Sequence, residues 1–190
     1  MGQYYIVAFK KVSDDNTIIN DRNVEGCDYV GAKLMEHSWL KNDLCMAIAN
    51  VLSQGKCRLA WIGDYAEDEE LSEICNNELT MEEVWGKKHT NVLKKVNFDY
   101  HHKFLVNHTK GVYISFDKYI KTFGDKWRIC PFSLLTAIGN GRGGGDYHGI
   151  NMELIGTWAW DELEITSKSP RGKGIKLIDV AFYEKFYFSS

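Results

Sequence analysis

The segment Leu40–Asp64, LKNDLCMAIANVLSQGKCRLAWIGD, carries the clearest helix and strand patterns in the sequence. Asn42 or Ser38 is suited to cap the start of the helix, and Gly55 is suited to end it in a left-handed turn. Cys57–Ile62 then has the composition of a strand. The helix itself is indicated by apolar residues at steps of three and four, which line one helix face: Leu44, Ala47, Ile48, Val51 and Leu52.

The N-terminal segment predicts the start of a sheet. Gln3–Lys10 (QYYIVAFK) is rich in β-branched and aromatic residues and is apolar on both faces, as expected of a strand near the middle of a sheet. Ser13–Asn16 has turn composition, and Thr17–Ile19 can return as the second strand of a hairpin.

An acidic run and a capping motif predict helix starts further along the chain. Glu67–Glu70, followed by Glu73, favours a solvated surface or a first helical turn over a metal site, because hard metals need converging oxygens at defined spacing. Thr80 and Glu83 fit a capping box, which predicts a short helix through Trp85.

The second half of the chain reads mainly as strands. Strands are predicted over Lys103–Asn107, Gly111–Lys121, Pro131–Ile138 and Met152–Thr166. Ser169–Gly174 has the composition of a mobile basic loop. A last apolar face is indicated by Ile178, Val180, Phe182, Phe186 and Phe188. The pattern predicts an α+β fold, with a mostly antiparallel sheet and a few packed helices.

Size and composition limit the function classes. With 190 residues, 44% apolar and only two prolines, residues 1–190 are expected to form one ordered domain. A net charge of −3 predicts no general affinity for nucleic acid, and no apolar run reaches the length of a membrane span. A charged segment followed by an apolar signal core is not found at the N-terminus. Five widely spaced cysteines suit reduced thiols, so a cytoplasmic location is expected.

A glycine-rich loop is the main candidate site. The loop is Gly139–Gly149, GNGRGGGDYHG, and six of its eleven residues are glycine, a density that costs folding entropy. One interpretation is a hairpin connection or bulge. The other is an anion-holding concavity of backbone amides, with Arg142 pairing to the anion, Asp146 holding the loop or a ribose hydroxyl, and Tyr147 or a tryptophan stacking on a base. The candidate binding residues are Gly139, Asn140, Gly141, Arg142, Gly143, Gly144, Gly145, Asp146 and Tyr147.

Other site types fit the sequence less well. Gly139–Gly144 satisfies G-x-G-x-x-G, but a strand is predicted after it instead of the helix that a dinucleotide fold needs, and no Walker pattern occurs. His101 and His102, near Asp99, would diverge if they lay on a strand, so no metal is expected. The sequence therefore predicts no metal and no cofactor.

A hydrolase acting on nucleotides or other phosphorylated substrates is an alternative function. Its acid and base would come from His37 or His148 together with Asp64 or Asp161. Cys130 with His148 offers a nucleophile and a base, but the sequence around Cys130 favours a buried structural thiol.

Several segments resemble a family of uncharacterised bacterial and phage proteins. The segments are MGQYY (1–5), GAKLMEHSW (31–39), WIGDYA (61–66), LLTA (134–137) running into the glycine loop, and IGTWAWD (155–161). The resemblance implies one intracellular domain and transfers no catalytic residue. Because such proteins occur in phage settings, it also suggests a role against host defence, either trapping a nucleotide signal or inhibiting a defence complex such as a CRISPR nuclease.

Three functions follow as hypotheses. The first is a protein that binds a phosphate-bearing or other anionic small molecule at the glycine loop. The second is the hydrolase. The third is an inhibitor of a host protein complex, in which acidic residues 67–70 mimic nucleic-acid charge or exposed tryptophans anchor the partner.

Overall fold

A computed structural model describes residues 1–27, 33–123, 128–171, 174–178 and 182. The first half contains β1 Tyr5–Lys11, β2 Thr17–Asn20, α1 Leu34–His37, α2 Asp43–Ser53, β3 Cys57–Gly63, α3 Asp68–Ile74 and α4 Met81–Trp85. The second half contains β4 Phe104–Asn107, β5 Val112–Ser115, α5 Phe116–Phe123, α6 Pro131–Leu135, β6 Ala137–Ile138, a 3-10 helix Met152–Leu154, β7 Glu162–Thr166 and β8 Lys176–Leu177.

The strands form one mixed sheet in the order β2-β1-β3-β7-β4-β5-β8, with β6 beside β3. The β6–β3 and β5–β8 pairs are parallel, and the other neighbours are antiparallel. This arrangement confirms the predicted α+β fold with a mostly antiparallel sheet.

The elements with strong local signals form as predicted. Asn42 caps α2, its side-chain oxygen accepting a hydrogen bond from the Leu44 amide at 2.9 Å. Thr80 and Glu83 form the capping box of α4. β1 and β2 make the N-terminal hairpin, β1 also pairs along the whole of β3, and the acidic run opens α3. Apart from the β1–β3 pairing, each of these features is determined by residues close together in the sequence.

Three predicted strands are wrong over part of their length. After Ser115 the chain turns into α5, because Phe116 and Tyr119 recur at helical spacing and are buried together. Pro131 starts α6, where its fixed φ suits a first helical position and where every residue is buried. Much of Met152–Thr166 is turn and 3-10 helix, and only its last five residues form β7.

The predicted C-terminal apolar face is only partly described. Phe182 is buried, and its ring meets that of Tyr147 edge-on at 5.7 Å between centroids. Val180, Phe186 and Phe188 lie outside the described residues. Among the described residues, no helix has the length and apolar character needed to cross a membrane.

The two faces of the sheet are covered differently. One face packs on α2 and α6 and forms the main core. On the other face, α3 and α4 cover the β1–β3 half through Leu71 and Val84. Over β7, β4 and β5 that second face instead meets residues of a C-terminal stretch, which we call the cover segment, residues 168–171 and 174–177. This half of the face is more polar and contains the cavity described below.

Two buried thiols are expected to make the folded protein less stable at alkaline pH. Burial raises the pKa of the Cys57 thiol to about 11 and that of Cys75 to about 12, the carboxylate of Glu78 adding to the shift at Cys75. An unfolded thiol ionises near pH 8.5. The stabilising contribution is therefore complete below about pH 8.5 and is lost as pH rises towards the folded pKa values, at roughly 1 kcal/mol per thiol and pH unit. Urea unfolding from pH 7.5 to 10.5 measures this loss.

The control for this prediction is the double variant Cys57→Ala/Cys75→Ala. Its free energy of unfolding should fall less steeply with pH than that of the wild type. Equal slopes in the two proteins would contradict the assignment of the alkaline loss to these thiols.

Candidate functional site

The glycine loop does enclose an anion, and the anion is the carboxylate of Asp146. Asp146 is buried, and its Oδ2 accepts hydrogen bonds from the amides of Gly141, Arg142 and Gly143 at 2.8, 2.9 and 2.9 Å. Its Oδ1 accepts from the hydroxyl of Tyr5 at 2.8 Å. Burial, followed by this hydrogen bond, raises the pKa of Tyr5, which therefore stays a protonated donor.

The loop also joins distant parts of the chain. The Gln3 amide donates to the Gly144 carbonyl at 2.8 Å, and the Met35 amide donates to the Gly145 carbonyl at 3.0 Å. The guanidinium of Arg142 donates to the Tyr65 carbonyl at 2.9 Å and pairs with Glu70 at 2.8 Å. The N-terminal segment, α1, the end of β3 and α3 thus all meet at the loop.

These contacts leave little of the loop for an external ligand. The three amides that converge already have a charged acceptor, and Arg142 already has a carboxylate partner. Tyr147 is fully buried and donates its hydroxyl to the Ile150 carbonyl, so its ring has no exposed face in this structure on which a base could stack. The side-chain amide of Asn140 donates to the Tyr147 carbonyl through Nδ2 and accepts from the Tyr147 backbone amide through Oδ1. We infer that the loop has a structural role.

The two candidate catalytic carboxylates are not brought together. Asp64 follows β3 and accepts a hydrogen bond from the Tyr4 amide at 3.1 Å. Asp161 lies beside the other half of β3, because the Trp160 amide donates to the Leu59 carbonyl. Asp64 comes five positions after Leu59, which is roughly 16 Å along a strand. Each carboxylate has a structural contact, since Asp161 accepts from Asn107 at 2.8 Å and pairs with Lys110.

The remaining candidate residues lie in separate surroundings. His37 ends α1, where desolvation lowers the pKa of its half-buried imidazole. His148 is exposed at the end of the glycine loop. Cys130 is buried before α6, where burial, followed by its hydrogen bond to Cys45, holds its pKa well above the usual range, as a structural thiol requires. No contact among these groups defines an active site within the described residues.

His101 and His102 do not diverge, which corrects the sequence prediction. They lie in a turn before β4, and His102 has a left-handed φ of +57°. The Nδ1 atoms of His101 and His102 lie 3.3 and 3.0 Å from the carboxylate of Asp117. In the described part of the chain, no group of three or more His, Cys, Asp or Glu side chains is placed to hold a metal ion.

A cavity on the second sheet face is the better candidate site. We call it the basic cavity. It has a volume of about 310 Å³ and lies between the sheet, α5 and the cover segment. Its lining residues are Phe104, Tyr113, Ser115, Asp117, Lys118, Lys121, Arg171 and Leu177.

The charges of the basic cavity favour an anion. Lys118 and Lys121 come from α5, and Arg171 reaches the cavity from the cover segment. Neither Lys121 nor Arg171 forms a salt bridge within the described residues. The opposing charge is Asp117, whose pKa is lowered, first by a hydrogen bond from the His102 amide and then by the two imidazoles. Three cations therefore face one carboxylate that already has partners.

Sequence reasoning found only part of this site. The period of two in β5 placed Tyr113 and Ser115 on one face, and the basic composition of residues 169–174 included Arg171. Lys118 and Lys121 were assigned to a strand, which concealed that they lie on one turn of helix α5 next to the same cavity. Comparisons of the chain with protein-family models, with curated proteins and with solved structures gave no match.

Proposed function

We propose that the protein binds a small organic anion in the basic cavity, with Lys118, Lys121 and Arg171 pairing to its phosphate or carboxylate group. The observation that carries the proposal is the convergence of three cationic side chains on one cavity of about 310 Å³, two of them with no carboxylate partner among the described residues. Ligand cavities typically start near 300 Å³. The cavity is thus large enough for one small molecule.

The proposed ligand is of the class predicted from the sequence, an anionic small molecule, but its proposed site is the basic cavity instead of the glycine loop. In the glycine loop, a phosphate would have to displace the buried carboxylate of Asp146, which receives four hydrogen bonds. In the basic cavity, Lys121 and Arg171 form no salt bridge within the described residues, so an incoming anion can gain charge-assisted hydrogen bonds from these two side chains. The guanidinium of Arg171 adds a bidentate donor that suits phosphate and carboxylate oxygens.

The two other hypotheses have less structural support. The hydrolase requires an acid and a base within reach of one substrate, and its four candidate residues are spread over separate elements. Two members of the acidic run have partners of their own, since Glu70 pairs with Arg142 and Asp68 accepts a hydrogen bond from the Met81 amide. A role in phage–host conflict rests on resemblance alone and stays a prediction.

The first test is a binding measurement on cation variants. The purified protein is screened by thermal shift and calorimetry against pyrophosphate, nucleotides and sugar phosphates, and denatured samples are analysed by mass spectrometry for retained small molecules. We expect Lys121→Ala and Arg171→Ala each to weaken the best ligand about tenfold, because a hydrogen bond to a charged group contributes about 1.5 kcal/mol or more.

Two controls separate the basic cavity from other sites. Lys94→Ala removes an exposed lysine outside the cavity and should leave the dissociation constant unchanged. Arg142→Ala tests the glycine loop in the same way. If Arg142→Ala abolished binding while Lys121→Ala and Arg171→Ala had no effect, the ligand would belong to the loop and the present assignment would be wrong.

A further inference from the structure

The composition of the basic cavity points to a more specific ligand, and we infer that it is a nucleoside phosphate. This inference rests on the proposed function. It uses three features of the cavity: an apolar strip, a carboxylate among cations, and a volume that limits the ligand to one nucleoside.

The apolar strip lies beside the cations. Phe104 and Tyr113 form its floor and meet edge-to-face, with ring centroids 5.7 Å apart and planes at 76°. Leu177 borders Tyr113, because these two residues are register partners in the parallel β5–β8 pair. Phe104 is half-buried and Leu177 is 37% exposed, so both still have accessible apolar surface in the cavity. A flat aromatic ring would cover this surface, whereas inorganic phosphate would leave it in water.

Asp117 places one negative charge among the cations of this cavity. A carboxylate repels a phosphate unless another part of the ligand donates a hydrogen bond to it. Oδ1 of Asp117 accepts from the His102 amide at 3.0 Å and lies 3.3 Å from the His101 ring, while Oδ2 has the His102 ring at 3.0 Å. A carboxylate offers about four acceptor positions. Oδ2 has one described partner and Asp117 lines the cavity, so this carboxylate can also accept from a ligand hydroxyl, such as those of ribose.

The volume limits the size of the ligand. A cavity of about 310 Å³ is at the small end of ligand sites. One base, one ribose and a short phosphate chain fit that size, and a second nucleoside would extend into solvent. The aromatic strip, the hydroxyl acceptor and the cations correspond to the base, the sugar and the phosphate of such a molecule.

The experiment compares ligands that differ by one of these parts. Dissociation constants are measured by calorimetry for adenosine monophosphate, its 2′,3′-dideoxy analogue, ribose 5-phosphate and pyrophosphate. We expect the mononucleotide to bind at least about tenfold more tightly than ribose 5-phosphate, the range expected for stacking a base on an aromatic side chain. We expect the dideoxy analogue to bind about fivefold more weakly than the mononucleotide, because it lacks the hydroxyl donors for Asp117.

Two variants assign these differences to residues. Phe104→Leu keeps an apolar side chain and should remove most of the preference for the mononucleotide over ribose 5-phosphate. Asp117→Asn should weaken the preference over the dideoxy analogue, because an amide oxygen is a weaker acceptor than a carboxylate. It should leave the preference for the mononucleotide over ribose 5-phosphate unchanged. Thermal unfolding of both variants verifies that they are folded.

The outcomes test separately whether the ligand is a nucleoside phosphate and whether the basic cavity binds an anion at all. Equal affinity for ribose 5-phosphate and the mononucleotide would overturn the nucleoside assignment and leave an anion site. Preferences that persist unchanged in Phe104→Leu and Asp117→Asn would overturn it as well. Absence of binding by all four phosphates, or binding that does not depend on Lys121 and Arg171, would overturn the proposed function itself.

Discussion

The substitution Asp146→Asn is expected to lower the free energy of unfolding by about 3 kcal/mol, within the range for breaking a buried charged interaction. The carboxylate receives four hydrogen bonds, three from loop amides and one from Tyr5. An asparagine carries one oxygen and one NH₂ group, so its NH₂ group would face either the loop amides or the Tyr5 hydroxyl, which are themselves donors. Equilibrium unfolding in urea, followed by circular dichroism, measures the change in midpoint.

Two substitutions calibrate this effect. Tyr5→Phe removes only the hydroxyl donor and should cost about 1 kcal/mol, because one hydrogen bond is lost and the ring stays packed. Asp64→Asn changes a half-buried carboxylate that accepts one described amide hydrogen bond, from Tyr4, and should cost less than Asp146→Asn. If the free energies of unfolding of Asp146→Asn and wild type agreed within about 0.5 kcal/mol, the carboxylate would not hold the loop.

The parts of the fold that sequence predicted are those with short-range causes. Helix α2 was identified from its apolar face and from Asn42, and both signals lie within one helix length. The capping box of α4 spans four residues. The β1–β2 hairpin needs only a turn between two β-rich runs. In each case, the residues that determine the element are neighbours in the sequence, so no knowledge of tertiary contacts was needed.

The errors fall where short apolar runs suit both a strand and a buried helix. Pro131–Leu135 is buried at every position, so no polar face revealed the period of a helix. Phe116 ended the predicted alternation of β5 and also began α5, where Tyr119 is buried with it. His102 adopts a left-handed conformation, which turned a supposed strand into a turn and brought two imidazoles to one carboxylate.

The candidate site shows the same division. The loop's tendency to hold an anion was visible in its glycines, but the burial of Asp146 beneath Tyr5 depends on contacts more than a hundred residues apart in the sequence. The basic cavity joins Phe104, α5 and the cover segment. Its position depends on β8 pairing with β5, a register that no local pattern specified. The chemistry was thus recognisable from sequence, whereas the assembly of the cavity was not.

Gly143→Ala is expected to lower the free energy of unfolding by about 2–3 kcal/mol, the cost of overpacking a close contact. A Cβ at this position would lie 2.6 Å from Gln3 Cβ and 2.9 Å from the Gln3 backbone nitrogen. Gln3 is held in place, because its amide donates to the Gly144 carbonyl at 2.8 Å and its side chain is fully buried against Gly63. The added methyl is therefore expected to push the loop away from the N-terminal segment around Gln3, and urea unfolding measures the resulting loss of stability.

Gly144→Ala is the matched control, because it adds the same methyl group one residue later. The nearest atom to its Cβ is the Met1 carbonyl oxygen at 3.5 Å, an ordinary contact, and neither glycine has a positive φ. Backbone entropy in the unfolded state changes equally in the two variants, so their difference isolates the contact with Gln3. Equal stabilities for Gly143→Ala and Gly144→Ala would mean that the loop and the N-terminal segment are not packed against each other. A large difference between their free energies of unfolding would mean that only a glycine at Gly143 leaves room for Gln3. The glycines of the loop would then be required by the close packing of the loop around Asp146 and against the N-terminal segment.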